Sequence, residues 1–149
     1  METVKNIQKM ENKMIIVIRI EGMVKVKPDI AETLDRMRLR RKYAAVLLNN
    51  SESIRGMLKK VKYSVSYGEI SKETLAMLLE KRAHKIDNKK FDSVKVAEEL
   101  HSGKNLSELG FKPFFRLHPP RKGINSKLQY PKGVLGHNKE INKLVERML

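Results

Sequence analysis

The first half of the chain alternates between strand-like and helix-like patterns. Residues 14–20 are almost all apolar and β-branched, with isoleucine at every second position from 16 on one face and with Ile15 and Val17 on the other. Such a run is typical of a strand that is buried on both faces. We therefore predict that this strand lies in the centre of a sheet.

Two helices and two further strands follow the first strand. Pro28 and Asp29 are typical of a first helical turn, and apolar residues then recur at 30, 34 and 37. A second strand is predicted over residues 43–48. The polar residues at 49–51 can cap a second helix, which has apolar residues at positions 54, 57, 58 and 61. Alternation over residues 63–67 predicts a third strand.

The second half of the chain is helical at first and then loses its period. Ser71 and Asp92 each precede apolar residues at helical spacing, so we predict that they cap two helices. Residues 111–138 show no period, and a stretch of that length in a compact chain is usually functional or disordered. Ile141, Leu144, Val145 and Met148 then share one side of a closing helix.

These patterns divide the chain into five segments. They are an N-terminal extension (residues 1–13), a β-α-β-α-β core (14–70), a helical extension (71–110), an extended basic segment (111–138) and a C-terminal helix (139–149).

The net charge of the chain indicates which kind of partner it binds. The 149 residues include 32 Lys and Arg against 17 Asp and Glu, a formal net charge of +15, while 40% hydrophobic residues suffice for a core. An excess of this size favours a polyanion as partner, and we prefer nucleic acid to an anionic membrane. The chain has no cysteine, no secretory signal pattern and no apolar run near the roughly 20 residues of a membrane span, so we expect a cytoplasmic protein without disulfides.

The positive charge is concentrated in two lobes. Glu52 is the single acid between residues 36 and 62, and no acid occurs between 111 and 137, where basic residues alternate with aromatic rings and a proline pair. Arginine forks match phosphates and planar rings can stack on bases, so this mixture is typical of RNA recognition. The candidate RNA-binding residues are Arg38, Arg40, Arg41, Lys42, Arg55, Lys59 and Lys60 in the first lobe, and Lys112, Arg116, His118, Arg121, Lys122, Lys127 and Lys132 in the second.

Each of these features also has a purely structural interpretation. A basic run alone is more often a solvated face than a contact site, and only the overall charge reverses that preference. Phe114 and Phe115 are more often packing anchors than base stackers, and His118 can equally well serve its own loop. Phosphate-binding loops, dinucleotide fingerprints, metalloprotease motifs and nucleophile elbows are missing from the sequence, so we predict no enzyme, no cofactor, no metal and no small-molecule substrate.

Several local motifs resemble one family. The segment at 53–58 reads Ser-Ile-Arg-Gly-Met-Leu, the strand at 63–69 reads Tyr-Ser-Val-Ser-Tyr-Gly-Glu, and the tract at 114–123 reads Phe-Phe-Arg-Leu-His-Pro-Pro-Arg-Lys-Gly. With Thr33-Leu34 and Leu39-Arg40-Arg41, they resemble the ribosomal protein L-thirty family in its longer archaeal form, the counterpart of eukaryotic ribosomal protein L-seven. The resemblance covers roughly residues 14–149.

The resemblance implies both a fold and a function. The fold is α+β and ferredoxin-like, with a three-stranded antiparallel sheet in the order 3-1-2 and two helices on one face. The function is that of a structural constituent of the large ribosomal subunit, binding large-subunit (23S-type) rRNA near 5S rRNA beside neighbouring large-subunit ribosomal proteins. The alternative is a free-standing RNA- or DNA-binding regulatory protein. The extension at residues 1–13 exceeds the family pattern, which leaves open a disordered segment or a start of translation at Met14.

Overall fold

The structure is a computed structural model, and it describes residues 14–22, 26–49, 51–82, 90–101, 106, 108–124, 128–130 and 132–149. Within these ranges the strands are β1 (Met14–Arg19), β2 (Ala44–Asn49), β3 (Val65–Glu69), β4 (Phe115–Arg116) and β5 (Gly136–His137). The helices are α1 (Pro28–Arg36), α2 (Glu52–Val61), α3 (Lys72–Arg82), α4 (Ser93–His101) and α5 (Ile141–Met148). The predicted extension at residues 1–13 lies outside the described residues.

The five strands form one sheet in the order β4-β2-β1-β3-β5. β1 pairs antiparallel with both β2 and β3, so that Val17 lies between Val46 and Tyr67. The α+β class is as predicted, but the three-stranded sheet is wrong, because β4 and β5 extend it at its two edges. Both added strands have two residues and come from the aperiodic segment 111–138, and so short a strand leaves no alternation to detect.

β1 is buried on both faces, as its sequence predicts. Ile16, Val17 and Ile18 have no exposed surface. Ile15 and Val17 belong to a core that includes Leu34 of α1 and Leu58 of α2. On the opposite face, even-numbered residues of β1 join a second core with side chains from α3, α4 and α5. Each such side chain contributes about 1.5–3 kcal/mol on burial, so the two cores are the main source of stability.

Side-chain caps begin three of the helices. Ser51 Oγ accepts a hydrogen bond from Ile54 N at 3.3 Å before α2. Ser71 Oγ accepts one from Thr74 N at 3.2 Å before α3, and Asp92 Oδ1 accepts one from Val94 N at 3.1 Å before α4. Each bond satisfies a backbone N–H that has no partner within its helix, which is why polar residues precede these apolar repeats. The three predicted caps are confirmed.

The third strand begins later than its alternating pattern predicts. α2 continues to Val61, and the chain then turns, with Ser64 N donating to the Val61 carbonyl at 2.9 Å. Tyr63 therefore lies in the turn and is 64% exposed, and β3 starts at Val65. Tyr63 matches the apolar alternation of β3 only by chance, because it is a turn residue and not part of the strand.

Two glycines provide a matched test of this packing. A Cβ at Gly68 in β3 would lie 2.9 Å from Ile141 Cγ2 and in collision with the Asn138 carbonyl oxygen, whereas a Cβ at Gly56 in α2 meets nothing within 4 Å. We expect Gly68→Ala to lower the free energy of unfolding by about 1–3 kcal/mol and Gly56→Ala to raise it by about 0.5–1 kcal/mol. Urea unfolding followed by circular dichroism measures both. Equal effects would contradict the close approach of α5 to β3.

Candidate nucleic-acid interface

The turn that follows α1 is fixed by backbone hydrogen bonds. Leu39 N donates to the Leu34 carbonyl at 2.9 Å, and Arg38 N donates to the Asp35 carbonyl at 3.0 Å. This pair of bonds is a Schellman motif, which ends a helix with a residue in the left-handed conformation. That residue is usually glycine, but here it is Arg38, with a φ of 65°. The motif directs the basic residues that follow away from the core, and Arg38, Arg40, Arg41 and Lys42 are all exposed.

A buried arginine in β1 holds the same turn from beneath. Arg19 is 3% exposed, and its Nη1 donates to the Leu39 carbonyl at 2.7 Å. Its Nε donates to the Glu21 carbonyl at 3.0 Å, and Nη2 donates to the Gly22 carbonyl at 3.2 Å. Burial lowers the pKa of Arg19 and the nearby Asp35 carboxylate partly opposes this, but a guanidinium stays charged at neutral pH. The buried charge thus binds three carbonyl groups and ties the turn to the sheet.

The pairing of β2 with β4 brings one part of each basic lobe together. Ala44 pairs with Arg116, so the tract around 116 lies beside the turn that precedes β2. Between them is an open groove of about 640 Å³. Its basic lining residues are Arg36, Arg38, Arg40, Arg41, Lys42 and Arg116, and Asp35 is the acidic residue in its lining.

Two aromatic rings line the groove together with these cations. Tyr43 and Phe114 are both half-buried, and each packs one side against a core of the protein. The Lys42 ammonium lies 5.1 Å from the centroid of the Tyr43 ring, and the Arg116 guanidinium carbon lies 5.9 Å from that of Phe114. The groove therefore combines positive charge with flat apolar surface, which are the two features that phosphates and bases require.

A second basic turn lies at the C-terminal end of α5. Gly123 N donates to the Pro120 carbonyl at 3.0 Å, and Lys122 has a φ of 65°. The Arg147 side chain donates to the carbonyls of Arg121 and Gly123, while Arg121 N donates to the Arg147 carbonyl at 3.0 Å. This reciprocal arrangement fixes the turn and leaves the side chains of Arg121 and Lys122 exposed.

The remaining candidates occupy other surfaces. Arg55, Lys59 and Lys60 are exposed on α2. Lys60 Nζ lies 4.0 Å from Asp29 Oδ2, and an ion pair this exposed contributes little to stability. The side chains of Lys112, His118 and Lys132 are also exposed, and none of them lines the groove. Lys127 lies outside the described residues.

The sequence patterns do not predict every residue of the candidate interface. Arg19 was placed within a strand without a role, although a lone arginine at the end of an apolar run was a usable signal. Tyr43 was assigned to a strand, but it has a φ of 65° and precedes β2. Of the two phenylalanines, Phe115 is fully buried as a packing anchor, whereas Phe114 is the ring that lines the groove.

Two other kinds of site are absent from the described part of the chain. No helix there is long and apolar enough to cross a membrane. No group of three or more His, Asp or Glu residues there is arranged to hold a metal ion.

Comparison with known proteins supplies an independent line of evidence. The profile of the family described as Ribosomal protein L30p/L7e matches residues 15–65. A large ribosomal subunit protein uL30 of Archaeoglobus fulgidus is 43% identical over 91% of this chain and 99% of its own length. Proteins of the same name from Ignicoccus hospitalis and Nanoarchaeum equitans are 37% and 42% identical over 94% and 74% of this chain, and over 100% and 79% of their own lengths.

The left-handed residue at the end of α1 gives a test that separates charge from backbone strain. Arg38→Gly and Arg38→Ala remove the same charge, but only glycine relieves the clash between Cβ and the backbone at a φ of 65°. We expect the glycine variant to be more stable than the alanine variant by about 1 kcal/mol, measured by thermal or urea unfolding. An alanine variant as stable as the glycine variant would contradict the Schellman geometry.

Proposed function

Because the chain belongs to the ribosomal protein L30p/L7e family, which includes the large ribosomal subunit proteins uL30, we propose that it is a structural constituent of the large ribosomal subunit. Membership rests on similarity to archaeal relatives over most of the chain, in agreement with the archaeal resemblance of its motifs. The protein is not an enzyme, and its place is the large subunit in the cytoplasm.

The observation that carries the RNA-binding proposal is the convergence of the two basic lobes. Arg40 and Arg116 are separated by 76 positions in the sequence, yet both line one groove. Arginine forks form charge-assisted bonds to phosphate oxygens, and each phosphate that they neutralise releases condensed counterions. Backbone hydrogen bonds and the Arg19 side chain fix the turn that carries Arg40, which reduces the entropy cost of ordering it on RNA.

We assign the RNA-contacting residues to two surfaces. The first is the groove with Arg38, Arg40, Arg41, Lys42 and Arg116. The second is the turn beyond β4 that exposes His118, Arg121 and Lys122. The exposed residues Arg55, Lys59, Lys60, Lys112 and Lys132 extend the positive surface around them, and Lys127 is assigned on sequence alone.

A finer statement concerns the partners within the subunit. We propose that the bound region of large-subunit rRNA lies near 5S rRNA and that neighbouring ribosomal proteins complete the contact. This proposal rests on the family resemblance of the 53–58 and 114–123 motifs. Crosslinking of purified subunits followed by sequencing of the attached RNA tests it, and crosslinks confined to regions far from 5S rRNA would exclude it.

The cellular test is fractionation of native lysate on sucrose gradients at low and raised salt, with the chain followed by mass spectrometry. We expect stoichiometric comigration with the large subunit that persists at moderately raised salt, because contacts with bases and with neighbouring proteins, which salt does not screen, add to the phosphate contacts. Recovery in the light fractions, or at far below one copy per subunit, would instead favour the free-standing regulatory protein.

The molecular test removes two groove cations. If the whole protein neutralises about eight phosphates, the slope of log affinity against log salt is about −6 to −7. We expect the double variant Arg40→Ala/Arg41→Ala to reduce its magnitude by about 1.5–2 and to weaken binding at least about tenfold. Both residues are exposed in a turn, so the melting temperature should hardly change.

The control for this test is Lys72→Ala/Lys81→Ala, which removes the same charge from exposed positions on α3. This variant should leave the salt slope close to that of the unmodified protein. Equal losses in both double variants would show that total charge, and not the groove, determines binding.

A further inference from the structure

The groove has a shape that a paired RNA stem does not fit. An A-form stem presents a convex surface of backbone and minor groove, and its bases are stacked inside. The groove is instead a concavity of about 640 Å³ whose lining includes two rings as well as cations. Phosphates on a convex surface would reach the exposed arginines at the rim, but the rings of Tyr43 and Phe114 would then make no contact with RNA.

We propose that the groove binds a single nucleotide extruded from the RNA, with its base against the Phe114 ring and its phosphate held by the arginines of the turn. The proposal deepens the proposed function and rests on it, since it specifies which RNA element enters the groove. Its chemistry follows from the lining, because bases stack on aromatic side chains and on guanidinium planes, and phosphates bind arginine forks.

The position of Arg116 fits both parts of such a ligand. Its guanidinium lies 5.9 Å from the centroid of the Phe114 ring, while its backbone is fixed by pairing with Ala44. A guanidinium near a ring can continue a stack with a base and can also donate to a phosphate. Lys42, 5.1 Å from the centroid of the Tyr43 ring, has a similar relation to the second ring.

The groove is also organised before any ligand arrives. Arg38 and Tyr43, which lie at the two ends of its basic turn, both have a φ of 65°, a conformation that costs energy for residues other than glycine. Two hydrogen bonds of 2.7 Å hold the turn at its ends. Arg19 Nη1 donates to the Leu39 carbonyl, and Tyr43 N donates to the Arg19 carbonyl. Strain that is held in place beside a concave site is typical of a binding site shaped in advance.

The test uses the full chain and two short RNA hairpins. One hairpin has a single unpaired 2-aminopurine in its stem, and the other has the same base paired. We expect the protein to bind the bulged hairpin about tenfold more tightly and to raise the 2-aminopurine fluorescence on binding, because the neighbouring bases that quench 2-aminopurine in the stem no longer stack on an extruded base. A free nucleoside monophosphate should compete only weakly, because it lacks the flanking phosphates that reach the rim.

Phe114→Leu isolates the contribution of the ring. Leucine keeps an apolar contact with the core beside α1 and α2 but offers no flat surface, so the ratio of the affinities for the bulged and the paired hairpin should fall from about ten to about one. The matched control is Tyr63→Leu, which removes an exposed ring beside a lysine in the turn after α2. This control should keep the preference.

The outcomes separate the two proposals. Salt-dependent binding of both hairpins with no preference, or a preference that is lost in Tyr63→Leu and kept in Phe114→Leu, would overturn the extruded nucleotide while leaving RNA binding intact. Equally tight binding of the free nucleoside monophosphate would also overturn it, because the groove would then be a nucleotide site independent of RNA. If Phe114→Leu fails to fold, the 2-aminopurine fluorescence measured with the unmodified protein decides the matter, since the absence of a rise excludes extrusion of the base. Failure to bind either hairpin would count against the proposed function itself.

Discussion

The structure depends on strand β1, whose two faces and two edges are all shielded from water. β1 is covered by α1 and α2 on one face and by the helices of the second half on the other, while β2 and β3 satisfy its backbone on both sides. An unpaired N–H or carbonyl at this depth would be costly, so both neighbouring strands are required. The helices α3, α4 and α5 are therefore part of the same folding unit as the β-α-β-α-β core, because without them the even-numbered face of β1 would be exposed.

The charge at the end of this strand connects the core to the interface. Arg19 is too buried to be hydrated, so its guanidinium must find acceptors within the protein, and it binds carbonyls of the chain around Leu39, Glu21 and Gly22. Leu39 is also the residue that closes the Schellman motif after α1. The buried Arg19 guanidinium needs carbonyl acceptors, and this need fixes the position of the basic turn. The turn can therefore carry several arginines without losing its shape.

Local patterns predicted much of this molecule, and the remainder depends on contacts between distant residues. The β-α-β-α-β order, the caps at Ser51, Ser71 and Asp92 and the two basic lobes follow from periodicity, polar residues at helix starts and charge. The pairing of Ala44 with Arg116, which creates the groove, links positions 72 residues apart and has no local signal. The same reason explains the missed β5, which joins β3 from a segment without alternation.

The exceptions to local rules occur at the candidate interface and at the residue that supports it. Among the described residues, those other than glycine with a positive φ are Arg38, Tyr43 and Lys122, all in basic turns, and the arginine within the apolar strand is the one that holds the first of these turns. Elsewhere the sequence follows its elements, with apolar residues inside and caps at helix starts. A folded chain tolerates such exceptions where function requires them and the surrounding structure supplies the stability. The left-handed residues and the buried arginine therefore lie at the same surface as the exposed basic side chains.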